Sequence, residues 1–281
     1  MSVPAGPGGG PASGSGSESL RRSTRARHDE LLSLIRSGTT RVEDLAEALA
    51  ISESTVRRDL ARLGAEGLVT RTYGGATPET SFHERALAER MRVQMPAKVA
   101  IGRRAAELVP DDGTVFVDAG STTGQLAEHL RGRSGLTVLT RGLEVALLLA
   151  GSPGLDVVVI GGSVTTKSHG LVGPLTTVAL ERFMVDVAFL GVDAVDPLDG
   201  VGEATALEAQ VKEVASRRAR RTVVLADSTK LDRGAVPAWA PLPAGWTLVT
   251  DEQDDEVLRR YRDAGVVVEM VEAEPQPTVD G

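Results

Sequence analysis

The segment 51–69, ISESTVRRDLARLGAEGLV, is the tightest constraint on how this chain can fold. At ~100° per residue along a helix, Val56, Leu60 and Leu63 fall in one narrow stripe that must be buried, while Ser54, Arg57, Arg58 and Ala61 fall on the opposite side. Ser52 is suited to cap the helix, because its hydroxyl can accept a bond from a free amide of the first turn. Gly64 and Gly67 stand where the helix is expected to end. Upstream, residues 42–50 give a second short helix with Val42, Leu45, Ala46 and Leu49 at helical spacing. Two short helices with a tight break between them predict a helix-turn-helix. Leu31, Leu32, Leu34 and Ile35 add a first helix, and 68–72 a short alternating strand that leads into Tyr73-Gly74-Gly75, the turn of a wing.

The outward face of the helix within 51–69 carries a short hydroxyl, two guanidinium groups and a small alanine. Arginine pairs bidentately with guanine or with phosphate, and Ala61 permits close approach. Ser54 and Thr55 sit near the helix N-terminus, where the helix dipole favours an anion. Paired arginines on an arbitrary helix are most simply a solvated face; the surrounding three helices and wing favour a face that meets DNA. The formal net charge of −8 looks wrong for such a role until it is divided along the chain. Residues 20–75 hold ten Arg and eight Asp or Glu, so the positive charge sits with the helices and the remainder is acidic. A local basic patch suffices for DNA binding. Because the patch is modest, a homo-oligomer reading repeated half-sites of double-stranded DNA is expected.

With 281 residues the chain has room for a small and a medium domain. Residues 1–24 begin with a run dominated by Gly, Pro, Ser and Ala and lack the basic start and apolar centre of a signal peptide; they read as a disordered leader. Residues 25–76 form the winged helix-turn-helix, 77–95 a linker, 96–272 a larger α/β domain and 273–281 a disordered tail. There is no cysteine, hence no disulfide and no thiolate metal site. No apolar run approaches the ~20 residues of a membrane span. A cytoplasmic protein with no membrane partner, no cofactor and no bound metal is the expectation.

In the larger domain, short apolar runs at 114–117, 136–139, 156–160, 187–190, 222–225, 246–250 and 266–271 read as strands. Helical patterns at 123–130, 143–150, 174–183, 205–219 and 254–261 lie between them. Buried strands alternating with helices predict a mostly parallel α/β sheet. Ligands of such sheets bind beyond the carboxyl ends of the strands. After the first strand comes Asp118-Ala119-Gly120-Ser121-Thr122-Thr123, whose small residues, hydroxyls and helix-opening amides suit an anion. Gly161-Gly162-Ser163 follows the third strand, Gly191-Val192-Asp193 the fourth, and Ala226-Asp227-Ser228-Thr229-Lys230 a later one. Each loop alone is also an ordinary tight turn with a helix cap; several at one sheet edge point to a ligand. A lysine neutralises phosphate, amides bond it, and carboxylates accept sugar hydroxyls. Lys212 lies four residues after Glu208, which is equally the spacing of a helical ion pair. His129 and His169 read as lone structural or exposed histidines, and no His, Asp and Glu cluster has metal spacing.

The run TVRRDLARLGAEGLVTRTYGGA closely resembles the DNA-binding signature of the DeoR family of transcriptional regulators, and VEDLAEALAIS resembles its second helix. The family's wing usually ends in His-Gly-Gly-Ala; Tyr73 stands here in place of the histidine, and both side chains can reach phosphate. The resemblance implies that Ser54, Thr55, Arg57, Arg58, Arg71 and Tyr73 touch DNA. DAGSTT, VVVIGGSV, LVGPL, VDVAFLGVDAVD, EAQVKE and VVLADSTKL resemble the family's effector-sensing half, whose fold is similar to sugar-phosphate isomerases. The implied function is a regulator, more often a repressor, of carbohydrate genes that senses a phosphorylated sugar. The implied effector-binding residues are Asp118, Ser121, Thr122, Thr123, Gly161, Gly162, Lys212, Asp227 and Lys230. Two departures stand out: Thr140-Arg141 where the family often has Thr-Asn, and Val201-Gly202-Glu203 where it often has a Gly-Leu-Thr-like turn. Both are expected near the pocket mouth, with Arg141 adding an anion contact and Glu203 repelling one.

Two other functions fit the residues. A sugar-phosphate isomerase with a DNA-binding appendage would need a general base, for which Asp118, Glu203 or Glu208 could serve; no strong motif supports it, and no catalytic residue is assigned. A regulator whose sensor has lost its ligand would use that half only for oligomerisation.

Overall fold

The computed structural model describes residues 27–28, 30–35, 39–65, 69–72, 75–78, 86–231 and 236–273. The expected leader, Tyr73 and most of the expected tail lie outside them. The chain divides into two compact units, Met1–Ser81 and Phe82–Gly281.

In the smaller unit, helix α1 (residues 30–35) is followed by α2 (Val42–Ala48), α3 (Glu53–Ala65), and strands β1 (Val69–Thr72) and β2 (Gly75–Pro78). The two strands pair antiparallel as a wing. The stripe Val56, Leu60 and Leu63 is buried against Leu31, Ile35, Val42, Leu45 and Val69, as the helical angles demand. The Ser52 hydroxyl caps α3 by accepting the Thr55 amide at 3.2 Å. The helix runs on through Gly64 to Ala65, so that glycine sits inside the last turn rather than ending it. The α3 sequence also holds a buried carboxylate. Asp59 accepts from Arg27 Nε at 2.7 Å, and His28 Nε2 stands 3.2 Å away. Burial alone would raise the Asp59 carboxyl, but its bonds from Arg27 and the proximity of His28 outweigh it and hold the group below the usual range.

The larger unit opens with α4 (Leu87–Arg90) and α5 (Met95–Glu107), followed by β3 (Gly113–Val117), α6 (Ser121–Leu130), β4 (Leu136–Thr140), α7 (Leu143–Leu149) and β5 (Leu155–Val159). A small hairpin, β6 (Ser163–Val164) with β7 (Leu171–Val172), precedes α8 (Pro174–Leu180) and β8 (Val185–Gly191). Then come β9 (Ala194–Asp196), β10 (Gly200–Glu203), α9 (Ala206–Arg217), β11 (Ala219–Leu225), β12 (Ala238–Ala240), β13 (Thr247–Thr250), α10 (Asp255–Asp263) and β14 (Val267–Met270). The seven strands anticipated from the sequence form one parallel sheet in the order β14-β13-β11-β8-β3-β4-β5. Strand alternation divides its side chains between two layers. Val115, Val117, Val187 and Phe189 face α5, α6 and α7, while Phe116, Ala188 and Leu190 pack against Leu180, Val211, Val214 and Ala215 of α8 and α9.

Three features depart from expectation. Residues 87–94, expected within a linker, belong to the larger unit: Leu87 is buried, its amide donates to Lys167 O, and Lys98 Nζ donates to Arg90 O and Val93 O. Helix α5 was not anticipated. The three-stranded antiparallel sheet β12-β10-β9 was not anticipated either, because strands of three and four residues carry too few alternations to signal themselves.

Asp59→Ala should destabilise the small unit by about 1–3 kcal/mol, less than for a fully buried pair because Arg27 is partly solvated. Hydrogen exchange across residues 42–65 of the full chain measures it; unchanged protection would make the Asp59 contacts energetically idle.

Candidate functional site

On α3, Ser54, Arg57 and Arg58 are exposed and Thr55 is half-buried. Arg57 is held by Glu53, Nη2 to Oε2 at 2.8 Å, one helical turn back. Arg58 has no ion-pair partner among the described residues. Arg71 lies in β1 of the wing, and Tyr73 lies outside the described residues.

In the larger unit the strand order reverses between β3 and β8, which are neighbours in the sheet although four strands, β4 to β7, lie between them in the chain. Loops leaving two such strands diverge to opposite faces and open a crevice at their carboxyl ends. A cleft lies there. It is lined by Ala119, Gly120, Ser121 and Thr122 after β3, Gly191, Val192 and Asp193 after β8, and Arg90, Lys98, Arg141, Ser168, Glu203, Lys212 and Lys230. Gly120, at φ 148°, turns the chain from strand into α6 and offers no side chain to the helix's first amides. The amides of Ser121, Thr122 and Thr123 therefore have no intrahelical acceptor and carry the positive end of the helix dipole.

Beneath the cleft is a buried charge cluster. Asp118 is fully buried and accepts from Arg141 Nε at 2.5 Å and the Ala119 amide at 2.7 Å on Oδ1, and from Lys212 Nζ at 2.6 Å on Oδ2. Burial would raise this carboxyl, but Arg141 and Lys212 more than offset it and hold it below the usual carboxylate range. Lys212 Nζ is also 3.1 Å from Glu203 Oε1. Burial pushes Glu203 up to about 8; Lys212 and Arg141 pull it down, and Asp193 and Asp118 add to the rise. At neutral pH Glu203 is therefore mostly protonated, and the cluster carries net positive charge. Asp193 stands 3.2 Å from Arg90 Nη1 and 3.9 Å from Lys230 Nζ on the cleft wall.

The sequence-derived residues divide accordingly. Ser121, Thr122, Lys212 and Lys230 line the cleft. Thr123 is buried behind it, its hydroxyl donating to Gly120 O at 3.1 Å. Asp118 lies below the cleft with both oxygens engaged, a support for cations rather than an open acceptor. Lys212 reaches Asp118 and Glu203, whereas Glu208 accepts from Ser168 and from the Thr205 hydroxyl that caps α9. Gly161, Gly162 and Asp227 do not line the cleft. A Cβ at Gly162 would overlap Thr176, whose hydroxyl donates to Gly161 O, so this turn packs on α8. Asp227 caps the 3-10 turn Ser228–Lys230 through the Thr229 amide. Arg141 and Glu203 are buried in the wall, not set at the mouth. Sequence reasoning missed Arg90, Lys98 and Ser168. Lys98 had a signal: it sits three and seven residues before buried Ile101 and Ala105, a lysine in an apolar stripe.

Among the described residues no group of three His, Asp or Glu could hold a metal ion, and no helix is long and apolar enough to cross a membrane.

A winged helix-turn-helix followed by a parallel α/β unit with a polar cleft at its switch point defines a DNA-binding regulator with a sensor domain. Residues 27–82 match the DeoR-like helix-turn-helix domain and residues 93–252 the DeoR C terminal sensor domain. The chain belongs to the DeoR family of transcriptional regulators. It is 32% identical to the HTH-type transcriptional repressor CsqR of Escherichia coli K12, over 86% of this chain and 94% of that one. It is 31% identical to the glycerol-3-phosphate regulon repressor of Haemophilus influenzae Rd, over 75% of this chain and 82% of that one. The ribose 5-phosphate isomerase A structure from Methanocaldococcus jannaschii aligns with a TM-score of 0.36 at 20% identity, over 48% of this chain and 53% of that one.

The raised Glu203 group contributes stability that is fully present below its ordinary value of 4.5 and is lost as pH rises toward about 8. Relative to Glu203→Gln, the wild-type melting temperature should therefore fall between about pH 5 and pH 8 and level off above that. Parallel melting curves across that range would mean Glu203 is ionised throughout.

Proposed function

We propose that this chain is a repressor of carbohydrate genes that binds a double-stranded DNA operator as a homo-oligomer in the cytoplasm, and that a phosphorylated sugar in the cleft controls its affinity. The single observation that carries the effector reading is the cleft itself. Unsatisfied amides at the start of α6 are surrounded by Lys98, Lys212, Lys230, Arg90 and Arg141 at the switch point of the sheet. A phosphate dianion suits that field. The relative named for a glycerol-3-phosphate regulon agrees in chemistry. Ser54, Thr55, Arg57, Arg58, Arg71 and Tyr73 are the proposed DNA contacts, and Ser121, Thr122, Lys212 and Lys230 the proposed phosphate contacts.

Coupling follows from linkage: an effector that favours one state of the sensor shifts operator affinity by a typical ~1–3 kcal/mol. Arg90 supports a route. It lies on α4, at the start of the larger unit, and lines the cleft. An isomerase reading is disfavoured by two of the carboxylates it would need: Asp118 is pinned by two cations, and Glu208 is tied to Ser168 and Thr205.

A mobility shift on the gene's own upstream region, repeated with a panel of sugar phosphates, should give a specific complex that one compound releases. A complex insensitive to every compound would sink the effector reading. Arg58→Ala should weaken operator binding by about 1–3 kcal/mol; selective loss at one base pair marks a base contact, and uniform loss with a shallower salt slope a phosphate contact. Unchanged affinity would remove Arg58 from the interface. Lys230→Ala should leave operator binding intact while blunting release by the active compound.

A further inference from the structure

Two atoms in the cleft wall are buried without a hydrogen-bond partner, Arg141 Nη1 and Glu203 Oε1. Their residues are 1% and 4% exposed, and both line the cleft. Arg141 commits Nε to Asp118 and is left with a donor that nothing accepts. Glu203 Oε1 lies near Lys212 Nζ but outside hydrogen-bond alignment, an acceptor that receives nothing. Buried polar groups left unsatisfied are costly, and they are rare unless a ligand or function completes them. The neighbourhood keeps them in place. Asp118 fixes the guanidinium, and a Cβ at Gly170 would overlap Arg141 Nη1, so only glycine leaves that atom its position.

An orphan donor and an orphan acceptor on one wall are both satisfied by a hydroxyl, whose oxygen accepts from the guanidinium and whose hydrogen goes to the carboxyl oxygen. The Lys212 ammonium beside Oε1 keeps the carboxyl proton of Glu203 on Oε2, so Oε1 remains an acceptor; a phosphate dianion or a carboxylate can only accept, and would leave it unpaired. We infer that Arg141 and Glu203 form a specificity subsite that reads a hydroxyl on the carbon chain of a polyol phosphate. The cleft then separates a polyhydroxylated phosphate ester from a bare phosphate. This rests on the effector reading proposed above.

Calorimetric titration of the full chain tests it with inorganic phosphate, glycerol 3-phosphate, ribose 5-phosphate, glucitol 6-phosphate and fructose 6-phosphate. At least one polyol phosphate should bind about tenfold or more tightly than inorganic phosphate. Glu203→Met should erase that margin without weakening inorganic phosphate, and Glu203→Gln, which keeps the Oε1 acceptor, should restore most of it. Gly170→Ala, which displaces the guanidinium without removing its charge, should erase it too and serves if Glu203→Met does not fold. If inorganic phosphate binds as well as every polyol phosphate, or the margin survives Glu203→Met and Gly170→Ala, the subsite is overturned while the anion site stands. If neither phosphate nor any ester binds, the effector reading itself fails and this inference with it.

Discussion

Asp118 sits at the end of β3 with a cation on each carboxylate oxygen, and the sensor cleft is organised around that arrangement. Without Asp118, Arg141 and Lys212 would be two like charges buried side by side, a configuration that burial and repulsion both oppose. With it, they form a bound triad whose surplus charge is positive. Glu203 does not cancel that surplus, because burial keeps its proton on. The strand therefore delivers, in one residue, both the anchor for two elements distant in sequence, β4 and α9, and a field that favours an anion above it.

The DNA-binding unit uses the same device more modestly. Asp59 is the buried one of two acidic residues in an arginine-rich helix, and it turns inward to hold Arg27 while Arg57 and Arg58 turn outward. One of the outward pair is restrained by Glu53 and the other is not. The basic face is thus held partly in register and partly adaptable.

Much of this was legible in the sequence because period and burial are the same information. The stripe Val56, Leu60 and Leu63 and all seven strands of the parallel sheet followed from spacing alone, as did the capping role of Ser52. The cleft was only half legible. Loops after strands pointed to Ser121, Thr122 and Lys230, but Gly161, Gly162 and Asp227 carry the same turn chemistry and serve only local structure. Arg90 arrives from a segment read as linker and Lys98 from a helix that was not anticipated, and its place in an apolar stripe marks Lys98 as buried without saying that it faces a cleft. Partner choice was illegible too. Lys212 and Glu208 are ideally spaced for each other, yet Lys212 reaches across the sheet to Asp118, because β3 and α9 meet only in the folded unit.

The contact between Arg141 and Gly170 has a consequence for how such a cleft can change over descent. A side chain at 170 and the present position of the Arg141 guanidinium compete for one place, since a Cβ there would overlap Nη1. Positions 141 and 170 are therefore coupled. A side chain gained at 170 moves the guanidinium off the wall, so the smallest residue in the hairpin decides where the largest buried side chain points.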